Sequence, residues 1–368
     1  AAYNGHLEVL KWTRTCHPPC DWNEEVCSEA AFNGHLQLLE WARKQNPPCP
    51  WNATVCARAA ENGHIDVLEW ATSQFPPCDC DATVCSSAAK TGQLDVLKWA
   101  RGQKPPIPWD VNVCINAAEG GHLDVLIWAR SFEQHAQAEW DERVCRAAAS
   151  KGWFNVLQWL RAQDPQCPWD ARLCVDAAES GRLDVLNWVR SQDPPCPWSA
   201  CVCAAAAANG DMEMLQWLRP RSREYTKCPW DERVCTNAAA NGSIDILKWA
   251  RSHNHPCPWD AETTVAAAVN NNVEVLIWLR SHGENSAPLN ETVAWKVAGK
   301  GHLDMLKWLR HEQSCPWDSK VCGEAALNGH LDVLQWARSQ NPPCEWDEWV
   351  CRNAAFEGHM HVLKWARS

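Results

Sequence analysis

The chain has 368 residues, 46% of them hydrophobic, and a net charge of −11. Its basic residues are spread singly, so it lacks the concentrated positive charge of nucleic-acid binders, and we expect no direct nucleic-acid partner. It has no apolar run long enough to cross a bilayer, so we expect no membrane insertion. The first residue is not Met and the first repeat begins partway through its pattern, so we expect a fragment of a longer chain.

A repeated phrase organises the sequence, and residues 328–338, NGHLDVLQWAR, are one complete copy. Eight of the twelve intervals between its tryptophans are 29 residues, and such a fixed period indicates a repeat protein. We therefore predict one domain, a repeat array over residues 1–368. The tryptophans are Trp12, Trp41, Trp70, Trp99, Trp128, Trp159, Trp188, Trp217, Trp249, Trp278, Trp308, Trp336 and Trp365.

The first helix of each repeat is predicted to start at an Asp, Asn or Ser, whose side chain accepts hydrogen bonds from the amides of a first helical turn. In the first full repeat Val26, Cys27, Ala30 and Ala31 follow at helical spacing, and the small alanines let neighbouring helices approach closely. The capping residues are Asn23, Asn52, Asp81, Asp110, Asp141, Asp170, Ser199, Asp231, Asp260, Asn290, Asp318 and Asp347.

A glycine such as Gly34 is predicted to end the first helix in the left-handed conformation, and Asn271 is the one substitute, a residue that tolerates this conformation. A second helix then runs to an arginine such as Arg43, and a proline pair such as Pro47-Pro48 stops it. Two short helices cannot bury an apolar face alone, so neighbouring repeats must supply the core.

The words AAENGHIDVLEWA at residues 59–71 and AALNGHLDVLQWA at residues 325–337 resemble the centre of the ankyrin repeat. Two features depart from that family: its usual period is about 33 residues, and its Thr-Pro-Leu-His tetrapeptide is missing, with Cys351 and Arg352 at the Leu and His positions. The resemblance implies an all-α, ankyrin-like helix-turn-helix solenoid of about 12 repeats with short or absent β-hairpins.

Nineteen of the 22 cysteines occupy two fixed places in the repeat, as in Cys20 and Cys27 or Cys49 and Cys56. Six residues between paired cysteines do not match the close spacing of zinc sites, so we interpret the thiols as small hydrophobic groups. No cofactor and no metal is predicted. A metal- or redox-responsive cysteine array stays open as an alternative, and a reducing cytoplasmic or nuclear compartment is expected.

Histidines that follow the turn glycine, such as His35 and His64, recur along the chain and cannot share one active site, so we interpret them as structural. The periodic tryptophans are interpreted as a buried stripe. No catalytic residue is predicted, and we expect the chain not to be an enzyme.

Function is expected where the copies differ, on the first-helix surface and in the loops, because exposed aromatics and arginines are common interface anchors. A longer basic loop at residues 220–228 adds candidates, since insertions in repeat arrays often fall on a binding face. The predicted protein-binding residues are Phe32, Arg146, Arg221, Arg223, Tyr225, Trp295, Lys296, Trp349, Arg352 and Phe356.

These features predict a non-catalytic scaffold for protein-protein interaction that binds a protein partner of unknown identity through its first-helix and loop surface. A structural subunit that spans a larger complex is the alternative that the length of the array supports. The sequence leaves the partner and the compartment open, together with any domain beyond either end.

Overall fold

The computed structural model describes residues 1–18, 20–131, 140–220, 227–281, 288–311 and 314–368. Their regular secondary structure consists of 25 α-helices and no strand. The helices fall into two compact units, Ala1–Pro197 and Trp198–Ser368, which are described separately below. The predicted all-α helix-turn-helix repeat fold is confirmed, and its description as a single array over residues 1–368 stays a prediction.

The first unit contains α1 to α13. Their bounds are α1 Leu7–Thr15, α2 Glu24–Phe32, α3 Leu36–Arg43, α4 Ala53–Glu61, α5 Ile65–Ser73, α6 Ala82–Lys90, α7 Leu94–Gly102, α8 Val111–Gly120, α9 Leu123–Ser131, α10 Glu142–Lys151, α11 Phe154–Arg161, α12 Ala171–Glu179 and α13 Leu183–Ser191.

The second unit contains α14 to α25. Their bounds are α14 Ala200–Ala208, α15 Met212–Leu218, α16 Glu232–Ala240, α17 Ile244–Arg251, α18 Ala261–Val269, α19 Val273–Arg280, α20 Glu291–Gly299, α21 Leu303–His311, α22 Lys320–Leu327, α23 Leu331–Ser339, α24 Glu348–Phe356 and α25 Met360–Ala366. In both units the even-numbered helices are the first helices of their repeats, and the odd-numbered ones are the second helices.

Side-chain caps begin the first helices, as the sequence predicts. The Asn52 carboxamide oxygen accepts a hydrogen bond from the Thr54 amide at 3.0 Å, and Asp81 accepts the Thr83 amide at 2.9 Å. Asn290 is different, because it makes no side-chain cap bond and its buried Oδ1 has no hydrogen-bond partner in the described structure. The capping residues therefore fix where the first helices start, with two exceptions: Asn290, and Asp318, which lies one residue before the N-cap Ser319 of α22.

The turn between the two helices has the predicted left-handed residue. Gly34 has φ +70°, and Asn271, the predicted substitute, has φ +59°. The next residue of the turn begins the second helix, and its side chain reaches back to the preceding repeat. His64 Nε2 lies 3.1 Å from the Phe32 carbonyl oxygen. This contact confirms the prediction that such histidines are structural.

A tryptophan replaces the histidine in one repeat and keeps the same bond. Trp153 Nε1 donates to the Glu119 carbonyl oxygen at 2.9 Å. Asparagines reinforce the connection elsewhere, since the Asn62 amide donates to the same Phe32 carbonyl at 2.6 Å. In these repeats a ring or amide N–H donates to a helix-end carbonyl of the preceding repeat, where the helix itself leaves carbonyls without an internal partner.

Within each unit, every first helix packs against the next first helix and against its own second helix. The core consists mainly of the Val-Cys and Ala-Ala pairs of the first helices with the Val-Leu pairs of the second, close to fully buried except in the first and last repeats, where Val9 and Cys351 are exposed. In most links a tryptophan packs edge to face on the repeat tryptophan, for example Trp51 on Trp70 at 5.7 Å, under the Arg43 guanidinium at 4.1 Å. Cys80 and Leu289 take its place in two links. No helix in the described ranges is long and apolar enough to cross a membrane.

Candidate functional site

The first-helix face is defined here as the side-chain positions of the first helices that do not enter the core, and it carries the variation between repeats. Across α8, α10 and α12 this face forms a groove of about 410 Å³ in the first unit. We call it the first groove. It is lined by Glu119, Arg143, Arg146, Ala147, Ser150, Asp176, Glu179 and Ser180.

Carboxylates orient the two arginines of the first groove. Arg146 Nε donates to Asp176 Oδ2 at 2.5 Å across neighbouring repeats, and this bond raises the pKa of Arg146. Arg143 donates to Asp141 at 2.7 Å, and its hydrogen bond lowers the pKa of the Asp141 carboxyl. The first groove therefore presents guanidinium groups in fixed positions beside carboxylates.

A second groove of about 410 Å³ lies on the first-helix face of the second unit, between α22 and α24. Trp349 forms an aromatic wall and is 48% exposed. Arg352 lies over one face of its indole, 4.6 Å from the ring centroid. We call this the second groove, and it is lined by Ser319, Lys320, Gly323, Glu324, Leu327, Asp347, Trp349 and Asn353.

Three predicted site residues, Phe32, Trp295 and Lys296, are half-buried on the first-helix face. Phe32 stacks on Tyr3 at 5.9 Å and lies under the Arg58 guanidinium at 3.9 Å, so its ring is half-buried. Lys296 lies near the Trp295 ring and donates to Glu262 at 3.2 Å. The contacts of Arg58 with Phe32 and of Lys296 with Glu262 link adjacent repeats, and the Phe32 and Trp295 rings are half-buried.

The other predicted residues divide into two groups. Arg146 lies in the first groove, Trp349 lies in the second groove with Arg352 over its ring, and Phe356 is 82% exposed on the same helix as Trp349. The remaining three lie outside the described residues: Arg221, Arg223 and Tyr225.

The cysteines pair across repeats in a way that sequence spacing did not indicate. In the pairs named below, the first-helix thiol meets the thiol of the following link rather than that of the preceding link. Hydrogen bonding to Cys49 and burial raise the pKa of Cys27, and mainly burial raises the pKa of Cys114 to about 12. The pairs are Cys27 with Cys49, Cys56 with Cys78, Cys145 with Cys167, Cys174 with Cys196, Cys203 with Cys228, Cys235 with Cys257 and Cys322 with Cys344.

One thiol differs from these buried groups. Cys201 is partly exposed in the first turn of α14, and hydrogen bonds from Ser199 and then Arg233 lower its pKa. Arg233 Nη1 lies 3.2 Å from its sulfur. Within the described ranges, no group of three or more His, Cys, Asp or Glu side chains is placed to hold a metal ion.

Sequence reasoning missed most of the groove residues. Arg143, Lys320 and Glu324 occupy variable first-helix positions, so the variation between copies was the signal that pointed to them. Gly323 carried a clearer signal, since it is a glycine inside a helix where the other repeats have a side chain.

No family model matches the chain, and no curated protein matches it. Among solved structures it is similar to the pentatricopeptide repeat protein PPR10 in complex with an 18-nt psaJ RNA element, with 10% identity, a TM-score of 0.43 and coverage of 99% of this chain. It is also similar to PPR10 from maize, with 12% identity, a TM-score of 0.40 and 98% coverage. The chain spans 61% of the length of each of these PPR10 chains.

The comparisons correct the prediction of a protein-binding scaffold. That prediction rested on the ankyrin resemblance, but no family model matches, and the similar solved structures are pentatricopeptide repeat proteins, with RNA bound in the first. The stacked helix pairs of the structure show a helical-repeat fold, and no family model assigns it to the ankyrins. The protein-protein scaffold and its two alternatives are therefore not retained.

The exclusion of direct nucleic acid is also wrong, and the structure gives a physical reason. The net charge of −11 is a sum over the whole chain and does not say where individual cations lie. Ten of the thirteen second helices carry an acidic residue four positions before their tryptophan, and the side chains of Asp95 and Asp304 there are 85% and 99% exposed. The grooves of the first-helix face hold Arg143, Arg146 and Lys320 beside carboxylates such as Asp176, Glu179 and Glu324. A whole-chain charge cannot exclude a polyanion from one face.

Proposed function

We propose that the chain is a non-catalytic helical-repeat module that binds single-stranded RNA along the first-helix faces of its repeats. The observation that carries the proposal is the recurrence of variable first-helix side chains once per repeat, on helices that pack directly on one another. Helical-repeat proteins can read RNA at one base per repeat with two or three side chains. Constant stacking and variable side chains meet that requirement.

The chemistry of the first-helix face supports the same function. Proteins hold single strands with aromatic faces on which bases stack and with cations near the backbone. Trp349, Arg352 and Phe356 supply exposed groups of both kinds on α24, and Arg143 and Arg146 supply fixed guanidinium groups in the first groove. Arg221, Arg223 and Tyr225 combine the same side-chain types in the longer loop and stay predicted contacts.

The acidic balance of the chain shapes the expected binding. Few phosphate contacts mean little counterion release, so affinity should fall only weakly with salt. Base contacts would then provide most of the affinity, and the binding should depend on sequence. Dependence on sequence and weak dependence on salt distinguish the proposed binding from non-specific attraction to a polyanion.

The test is selection from a randomised pool of single-stranded RNA long enough to span the array at one nucleotide per repeat. We expect an enriched motif whose binding, measured by fluorescence anisotropy, changes little between low and physiological salt. A bound pool with the same composition as the starting pool would overturn the proposal.

Charge-matched variants locate the binding face. Arg143→Ala with Arg146→Ala should weaken binding of the selected RNA. Lys98→Ala with Lys307→Ala removes the same charge from second helices, where both lysines pair with aspartates, and should leave binding unchanged. If both double variants weaken RNA binding equally, the RNA binds at another face or is attracted non-specifically. Circular dichroism of all variants controls for folding.

A further inference from the structure

Gly323 is unusual because it lies inside α22, where glycine weakens a helix. Packing does not require it: a Cβ built there would have Asn353 Nδ2 as its nearest atom outside the helix, at 3.7 Å, which is an ordinary contact. Every other full repeat carries a side chain at this position. Those residues are Ser28, Ala57, Ser86, Ile115, Arg146, Val175, Ala204, Thr236, Val265, Trp295 and Arg352.

What the missing side chain provides is space in the second groove, which Gly323 lines together with Trp349. Arg352 covers one face of the indole, and the ring also borders the groove. A flat ligand can therefore enter beside an aromatic wall. The combination of an aromatic surface with an unfilled floor favours a planar ring.

Some of the polar groups around this space already form hydrogen bonds within the protein, and others line the groove. Asp347 accepts the Trp349 amide at 3.0 Å and the Ser319 hydroxyl at 3.2 Å, and Asn353 donates to the Gly323 carbonyl at 3.1 Å. Lys320 and Glu324 line the groove as a cation and a carboxylate. They offer a ligand one strong donor and one carboxylate that can accept two hydrogen bonds.

We propose that the second groove is a guanine-binding subsite. Guanine presents O6 as an acceptor beside the N1–H and N2–H donors, so Lys320 donates to O6 while Glu324 accepts from N1–H and N2–H, with the base stacked against Trp349. Adenine, cytosine and uracil each lack this order of one acceptor beside two donors. The subsite rests on the proposed RNA-binding function, but a free guanine nucleotide has the same chemistry.

The experiment titrates the full chain by calorimetry with GMP, AMP, CMP and UMP, and with two RNAs that differ by one guanine. We expect GMP to bind more tightly than the other mononucleotides, and Trp349→Ala to weaken GMP about tenfold or more, as for loss of one base stack. Glu324→Gln should lower the preference for GMP over AMP. Equal binding of all four mononucleotides, or none of GMP, would overturn the subsite.

Gly323→Ala is the sharpest variant, because it should weaken GMP binding severalfold while leaving the melting temperature unchanged or higher. Gly102→Ala is the matched control, since a Cβ there meets nothing within 4 Å and the residue lies outside both grooves. A lower melting temperature for Gly323→Ala, or unchanged GMP affinity, would overturn the inference.

The two proposals fail in distinguishable ways. If RNA binds, but neither the added guanine nor Gly323→Ala changes its affinity, the subsite is wrong and the RNA function stands. If GMP binds as expected and neither RNA binds, the subsite is a site for free nucleotide and the RNA function is wrong.

Discussion

His64 Nε2 lies 3.1 Å from the carbonyl oxygen of Phe32, and the same imidazole packs on Gly34, which has φ +70°. A Cβ on Gly34 would lie 2.6 Å from His64 Nδ1. One glycine thus serves two purposes, a left-handed turn and the space for the ring of the next repeat.

This double role predicts different costs for two glycine substitutions. Gly181 has φ +68° and open space around it. Gly181→Ala should therefore lower the free energy of unfolding by about 1–2 kcal/mol, because of the left-handed backbone alone. Gly34→Ala should cost about 1–3 kcal/mol more, because the His64 ring must move. Urea unfolding of both variants measures the difference, and equal losses would contradict the packing role.

Helix capping gives a second prediction. Asn52→Ala removes the hydrogen bond to the Thr54 amide and should destabilise its unit by about 1 kcal/mol. Asn290→Ala should cost less, because the Asn290 side chain makes no cap bond and its buried Oδ1 has no partner in the described structure. Native-state hydrogen exchange in α4 and α20 compares the two variants. A larger loss of stability for Asn290→Ala than for Asn52→Ala would contradict the prediction.

Asp141 predicts a pH dependence. The hydrogen bond from Arg143 lowers the pKa of its carboxyl in the folded state below the usual 3.8. Its stabilising contribution is therefore complete above the unfolded pKa and is lost as pH falls through the folded pKa. NMR titration should show a higher Asp141 pKa in Arg143→Ala, with no change in Lys151→Ala, whose lysine pairs with Glu119. The energy involved is small, because solvent reaches both partners.

Thiol reactivity is a fourth prediction. Cys201 should be alkylated by iodoacetamide at neutral pH, since the thiolate is the reactive form and Arg233 helps to lower its pKa. Arg233→Ala should slow this reaction. Cys114, buried and with its pKa raised to about 12, should react only on unfolding. Peptide mass spectrometry reads both rates, and rapid labelling of Cys114 in the native protein would contradict the structure.

The sequence was sufficient for features that depend on residues close in the chain. Asp81 as a cap and Gly34 or Asn271 as a left-handed turn follow from backbone chemistry within a few residues, and the structure confirms them. These local signals recur in every repeat, so the helix-turn-helix fold could be predicted without homologues.

Contacts between repeats could not be predicted from the sequence. Cys27 pairs with Cys49 rather than Cys20, and Arg146 reaches Asp176 in the following repeat, because stacking and not sequence separation decides which side chains meet. The nucleic-acid error has a similar cause: a net charge contains no information about which face carries Asp304 and which carries Arg143.

The bond from His64 to Phe32 has a consequence for how the array changes length. Residues 32 and 64 belong to adjacent repeats, and the equivalent bonds of His302 and His359 span 33 and 32 residues. Because each repeat recognises only the one before it, loss or duplication of a whole repeat inside one unit leaves every remaining donor with an equivalent acceptor. Such arrays can therefore gain and lose whole modules in evolution without having to invent a new junction.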